Sequence, residues 1–194
     1  MIKNLTKLFF ILLLMSFFII GCSSKQKSET SIKNGETKIQ TQQNEAENMK
    51  LTSTAFVNNG AIPSEFTCDG ADLSPQLIIS DVPKNAKSLA LIMDDPDAPI
   101  GTFVHWVAWN IPPSIKEVSK GTEPSGNLGM TGFRRAGYGG PCPPSGTHRY
   151  FFRLYALDTQ LNLPEGSNKK DLEMAMESHI LEKAELMGTY KRVK

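Results

Sequence analysis

Apolar residues along most of this chain recur at every second position, which predicts strands rather than helices. Residues 51–56 read as a strand closed by the turn Asn58-Asn59-Gly60, and residues 76–80 as a second strand. Residues 88–93 are apolar on both faces, so the pattern places that strand in the middle of a sheet. Residues 103–111 repeat the signature. Unbroken alternation puts Phe103, His105, Val107 and Trp109 on one side and Val104, Trp106 and Ala108 on the other. Pro112-Pro113 ends the run, because proline donates nothing to a ladder. Residues 148–157 form the next strand, with His148, Tyr150, Phe152 and Leu154 on one face and Arg149, Phe151, Arg153 and Tyr155 on the other.

A change of period follows. Leu172, Met176, Ile180, Ala184 and Met187 fall at helical spacing, so residues 169–187 are expected to be a helix, capped by Ser167 or Asn168 and stopped at Gly188. Residues 190–193 read as a short last strand. Between the strands, residues 117–144 are rich in Gly, Pro and Ser and keep no sustained period. A loop of that length inside a compact domain is usually functional. The expectation is a mainly β sandwich with a peripheral C-terminal helix.

The first 50 residues behave differently. Lys3 and Lys7 precede an apolar stretch, residues 8–20, too short to span a bilayer comfortably, and it ends at Gly21-Cys22. This resembles a bacterial lipobox, which implies that residues 1–22 are a lipoprotein signal peptide and that Cys22 is lipidated. Residues 23–50 are polar throughout and read as a disordered tether, because nothing in them buries enough apolar area to offset chain entropy. A folded domain is therefore expected over residues 51–194, exported and lipid-anchored to a membrane of the envelope.

Charge removes one class of partner. With 21 basic against 20 acidic residues, and no basic run interleaved with aromatics, nucleic acid is not expected. The chemistry gathers instead at Asp95-Pro96-Asp97-Ala98-Pro99, at His105 and at the stretch 139–150. Asp95, Asp97, His105, Gly140, His148 and Tyr150 offer two imidazoles, a tyrosine hydroxyl and a glycine-rich backbone, more donors than the protein needs internally. That surplus suits phosphate or another tetrahedral oxyanion. Arg149 points away from His148 and is assigned a structural ion pair with a carboxylate such as Asp95. His179 is read as surface or packing only.

The two motifs, Asp95-Pro96-Asp97-Ala98-Pro99 with His105 and Gly140-Pro141 with Gly146-Thr147-His148-Arg149-Tyr150, resemble the signature regions of the phosphatidylethanolamine-binding protein family. Within it the resemblance is to the bacterial and archaeal branch described as Raf-kinase-inhibitor-like, and it covers residues 51–194. The resemblance implies a Greek-key β-sandwich of antiparallel sheets with a small anion pocket at one end. It places Asp95, Asp97, His105, Gly140, His148 and Tyr150 in that pocket and Pro99 on its wall. It implies phosphate or a phosphoethanolamine-like headgroup as ligand, no cofactor and no general catalytic turnover. The C-terminal lid helix of eukaryotic relatives is not carried over.

Two other readings compete. Asp97, His105 and His148 could form a metal or acid/base site, but the chain has no Gly-x-Ser-x-Gly, no His-Glu-x-x-His and no nucleophile beside the histidines, so neither an enzyme nor a bound metal is expected. An interaction protein, for instance an inhibitor of a serine protease, would use residues 121–144 as its contact surface. Export makes a disulfide between Cys68 and Cys142 permissible, pinning the Gly-Pro-rich loop to the turn at 68–70. Two free thiols are the alternative.

Overall fold

A computed structural model describes residues 48–192. The expected signal peptide, Cys22 and nearly all of the tether lie outside the described residues, as does Val193. Nine strands follow in order: β1 Lys50–Thr52, β2 Gly60–Ala61, β3 Leu77–Ser80, β4 Ser88–Asp95, β5 Phe103–Ile111, β6 Glu117–Val118, β7 Asn127–Leu128, β8 Thr147–Leu157 and β9 Ile180–Lys191. Among the described residues there is one α-helix, α1 Lys169–Met176, which precedes β9. Six strands form one sheet in the order β2-β9-β8-β4-β5-β7, and β1-β3-β6 form a second. Pairings are antiparallel except β2 with β9, which run parallel, a departure from the all-antiparallel expectation.

The sandwich explains the two-faced burial of β4. Its odd residues Leu89, Leu91 and Met93 enter the core between the sheets, together with Leu77 and Ile79 of β3. Its even residues Ala90 and Ile92 pack on the outer face against Leu172 and Met176 of α1. All eight residues of β4 are buried. Alternation then sends Asp94 to the helix side and Asp95 to the inter-sheet side. Asp94 is held there by Arg153 and by Lys169, 3.2 Å away.

β5 keeps the expected bounds but not the expected alternation. Met93 pairs with Trp106 and Asp94 with Val104, so His105 is the extra residue of a β-bulge. A bulge of this kind re-aims side chains beside a site. It returns Val104 to the same face as Val107, against the helix layer, while Trp106 stays in the inter-sheet core.

The predicted helix over 169–187 is corrected: it ends at Met176. Asn168 caps it by accepting from Lys170 and Asp171 N–H, while Asp171 accepts the Asn168 N–H. Residues 180–191 instead form β9, which matches β8 residue for residue from Thr147↔Lys191 to Ala156↔Glu182. Ala184, Leu186 and Tyr190 are buried at period two, whereas Ile180, counted as core in the helical reading, is 44% exposed. Pairing satisfies the backbone groups along β8, and that tertiary requirement outweighs a local helical period. Gly188 is no helix stop. A Cβ there would lie 2.5 Å from Ile62, so it marks close packing inside the sheet.

β1 is also shorter than expected. The Ser53 hydroxyl accepts the Ala55 N–H at 3.1 Å and donates to the Gln76 carbonyl, turning the chain out of the strand. The long loop is anchored through Glu123, whose carboxylate accepts the Trp106 indole N–H at 2.6 Å and the Tyr138 N–H at 2.9 Å.

Candidate functional site

Asp95, at the end of β4, is a buried carboxylate with both oxygens occupied. Oδ1 accepts the N–H of Asp97 at 2.8 Å, and Oδ2 accepts Nδ1–H of His148 at 2.7 Å. The Asp95 and His148 side chains are both nearly enclosed. Burying a carboxylate is tolerable only with such partners.

His105, on the bulge, donates Nδ1–H to the Gly139 carbonyl at 2.7 Å, and the Gly139 N–H donates back to the His105 carbonyl at 3.0 Å. A carbonyl only accepts, so the proton sits on Nδ1 and Nε2 carries the lone pair. Phe103, Phe133 and Tyr150 surround the ring edge-on, with centroids 5.1, 5.4 and 5.2 Å away. Burial pushes the imidazole below its ordinary 6.5, and the Gly139 carbonyl and Asp95 carboxylate pull it back only in part. His105 is therefore neutral at pH 7.

The Tyr150 hydroxyl is buried and makes no hydrogen bond of acceptable geometry. It lies near the Asp95 carboxylate and the Cys142 backbone. Burial first, and Asp95 second, raise its pKa, so it keeps its proton.

These groups adjoin a cavity of about 310 Å³ walled by Asp95, Ala98, Pro99, Ile100, Phe103, His105, Phe133, Cys142 and Pro144. Of the expected site residues, Asp95, Pro99 and His105 line it. His148 stands behind Asp95, and Tyr150 behind His105. Two do not belong to it. Asp97 turns outward into a bidentate pair with Arg149, at 2.7 and 2.9 Å, and also accepts the Arg149 backbone N–H. Arg149 holds the Asp97 carboxyl down to about 2. Arg149 thus pairs with Asp97, not with Asp95. Gly140 spends its N–H on Asp72 at 2.7 Å, so that donor is not available to a ligand. A Cβ at Gly140 would lie 2.5 Å from the Phe66 carbonyl oxygen, and the glycine is there for close approach.

Cys68 and Cys142 are bonded, with Cα atoms 5.4 Å apart, which ties the 139–144 wall to the 66–70 turn. With Asp97 turned away, the two-histidine, one-carboxylate arrangement is not assembled. Among the described residues no group of three or more His, Cys, Asp or Glu is placed to hold a metal ion. His179 pairs with Asp158 at the surface, 2.8 Å away. A hollow of about 350 Å³, lined by Val104, Met130, Lys169 and neighbours, contains none of the histidines.

The Pro99 wall was expected, but the Phe103, Phe133 and Ile100 parts of the lining were not named from sequence. Phe133 lies in the aperiodic loop and reaches His105 only through folding, so no local pattern marks it. Gly139, not Gly140, is the residue that orients His105.

The family model described as phosphatidylethanolamine-binding protein matches residues 52–191. The chain is 51% identical over 150 residues to a UPF0098 protein of Methanothermobacter thermautotrophicus, covering 74% of this chain and 99% of that one. It is 48% identical over 157 residues to a UPF0098 protein of Pyrococcus horikoshii, covering 75% and 79%. Among solved structures it is similar to a protein of Chlamydia trachomatis described as a putative homologue of the same family. That match has 42% identity and a TM-score of 0.73, over 75% of this chain and 99% of that one. It is also similar to E. coli YbcL, described as a member of the mammalian family, with 27% identity and a TM-score of 0.70 over the same shares.

Proposed function

The chain belongs to the phosphatidylethanolamine-binding protein family, and from that premise we propose that it is a binding protein, not an enzyme, whose cavity takes phosphate or a phospholipid-headgroup-like anion. The observation that carries this reading is the gathering of His105, His148 and Tyr150 about the Asp95 carboxylate at the wall of one cavity. His148 already occupies one Asp95 oxygen, at 2.7 Å. The neutral His105 ring gains a proton readily once an anion sits beside it, turning Nε2 from acceptor to donor. The lipobox-like Cys22 supports an exported domain held to a membrane.

Calorimetric titration with inorganic phosphate and phosphoethanolamine tests the pocket. His148→Ala is expected to weaken binding at least tenfold while the far-UV circular dichroism stays native. An unchanged affinity in that variant would overturn the assignment.

A further inference from the structure

The segment from Gly139 to Thr147 joins the residue that orients His105 to the start of β8, and it is anchored unevenly. At one end, Gly139 exchanges hydrogen bonds with His105, Gly140 N–H reaches Asp72, and the Pro141 carbonyl accepts Cys68 N–H. At the other, Thr147 enters the ladder opposite Lys191 of β9. Between these ends, among the described residues, Pro143, Pro144 and Ser145 make no hydrogen bond, and proline has no N–H to give. A Cβ on Gly146 would meet nothing within 4 Å. Apart from the packing of Pro143, which is buried, the middle of the segment is held by the bond from Cys142 to Cys68. Cys142 and Pro144 both line the cavity, so this covalent link sets part of its wall.

The same bond is open to attack. Cys68 and Cys142 are both exposed, and exposed disulfides are the labile, regulatory ones, because a thiolate has to reach a sulfur. We propose that Cys68–Cys142 is a thiol-exchange site that sets the anion affinity of the cavity. Closed, it holds the wall ready for the ligand; opened by a dithiol, it releases residues 142–146 and weakens binding. The inference rests on the anion reading above and adds its regulation. In the exchange, a thiolate of the dithiol attacks one sulfur, forms a mixed disulfide and expels the other cysteine as a thiolate. The second thiol of the reductant then displaces the remaining cysteine. Two electrons pass to Cys68 and Cys142, each sulfur ends with a proton, and the reductant leaves as its own disulfide. The bonds of Gly139 to His105 and of Asp95 to His148 lie outside the released residues, so the site is loosened and not dismantled. A loosened wall has to be ordered again whenever an anion binds, and that ordering lowers affinity.

The test uses residues 48–194 alone, which relatives carry as 99% of their chain. Cys68 and Cys142 are the cysteines of that stretch, so thiol titration reads this bond directly. Dithiothreitol without denaturant should expose two thiols while the far-UV circular dichroism stays native. Calorimetric titration with inorganic phosphate should then show affinity about tenfold weaker than in the oxidised protein. The Cys68→Ser/Cys142→Ser variant should bind phosphate as weakly as the reduced protein and be indifferent to the dithiol. Amide order parameters at Ser145 and Gly146 should fall from about 0.85 to below about 0.6 on reduction, while those of β4 hold. A bond that yields to the dithiol only in urea overturns the exchange site. Equal phosphate affinity in the oxidised and reduced states overturns the control of binding. The order parameters judge the wall without any ligand. If they fall on reduction but the oxidised protein binds no phosphate, the released wall stands and the anion reading fails.

Discussion

Removing the Cys68–Cys142 bond should lower stability substantially while leaving the fold in place. The bond closes a loop of 74 residues. Chain entropy for a closure of that length amounts to about 4.5 kcal/mol at 25 °C, and measured disulfides typically deliver about 2–4 kcal/mol. The native geometry has other supports at the same junction. Tyr138 donates its hydroxyl to the Phe66 carbonyl at 2.7 Å, Gly140 N–H reaches Asp72 at 2.7 Å, and Cys68 N–H reaches the Pro141 carbonyl at 3.1 Å. Most of the loss therefore falls on the unfolded chain, which gains freedom, rather than on the folded one. Urea unfolding of residues 48–194 with and without a dithiol, alongside the Cys68→Ser/Cys142→Ser variant, reads the difference. With a slope of about 2 kcal/mol/M, a loss of about 3 kcal/mol moves the midpoint down by roughly 1.5 M. A domain of this size holds only about 5–15 kcal/mol in all, so the shift is large. A change under about 1 kcal/mol, or two titratable thiols in the non-reduced, denatured protein, would refute the reasoning.

Three further outcomes follow from the site and its surroundings. Because burial depresses His105 below 6.5, the unfolded chain binds its proton first, so the stability this residue contributes is complete above pH 6.5 and is lost as pH falls through the window beneath it. An anion favours the charged ring, so affinity for sulfate, which does not titrate there, should rise between pH 7 and 5.5 by up to about tenfold per unit; a flat calorimetric profile would refute the link. Gly140→Ala drives a Cβ to 2.5 Å from both Asp72 Oδ1 and the Phe66 carbonyl oxygen and should cost about 2–3 kcal/mol in urea unfolding, whereas a variant of native stability would show that the 139–142 segment is free to yield.

Much of the architecture was legible because a strand buried on both faces has a distinctive sequence. β5 is found at its expected residues, and β4 and β8 lie within two residues of theirs, since apolar runs ended by prolines or carboxylates leave little choice. β9 was not legible. Its residues satisfy a helical period as well as a strand period, and the decision came from the backbone groups of β8, which need a partner along their whole length. The bulge at His105 was hidden for a related reason: one extra residue in a ladder exists only relative to the neighbouring strand.

The sequence, with the resemblance its motifs carry, determined the candidates: two histidines, two carboxylates, a tyrosine, a proline and a glycine-rich loop, expected at one end of a β-sandwich. Tertiary structure decided which of them act together. Asp95 meets His148 across 53 positions, Asp97 meets Arg149 across 52, His105 meets Gly139 across 34, and Gly140 meets Asp72 across 68. Neighbours in sequence such as Asp95 and Asp97 point to different partners, because Asp95 closes β4 while Asp97 lies on the turn beyond it. A polar group's chemistry is a property of its residue type, but what that group has left to offer a ligand depends on the bonds it makes across the fold.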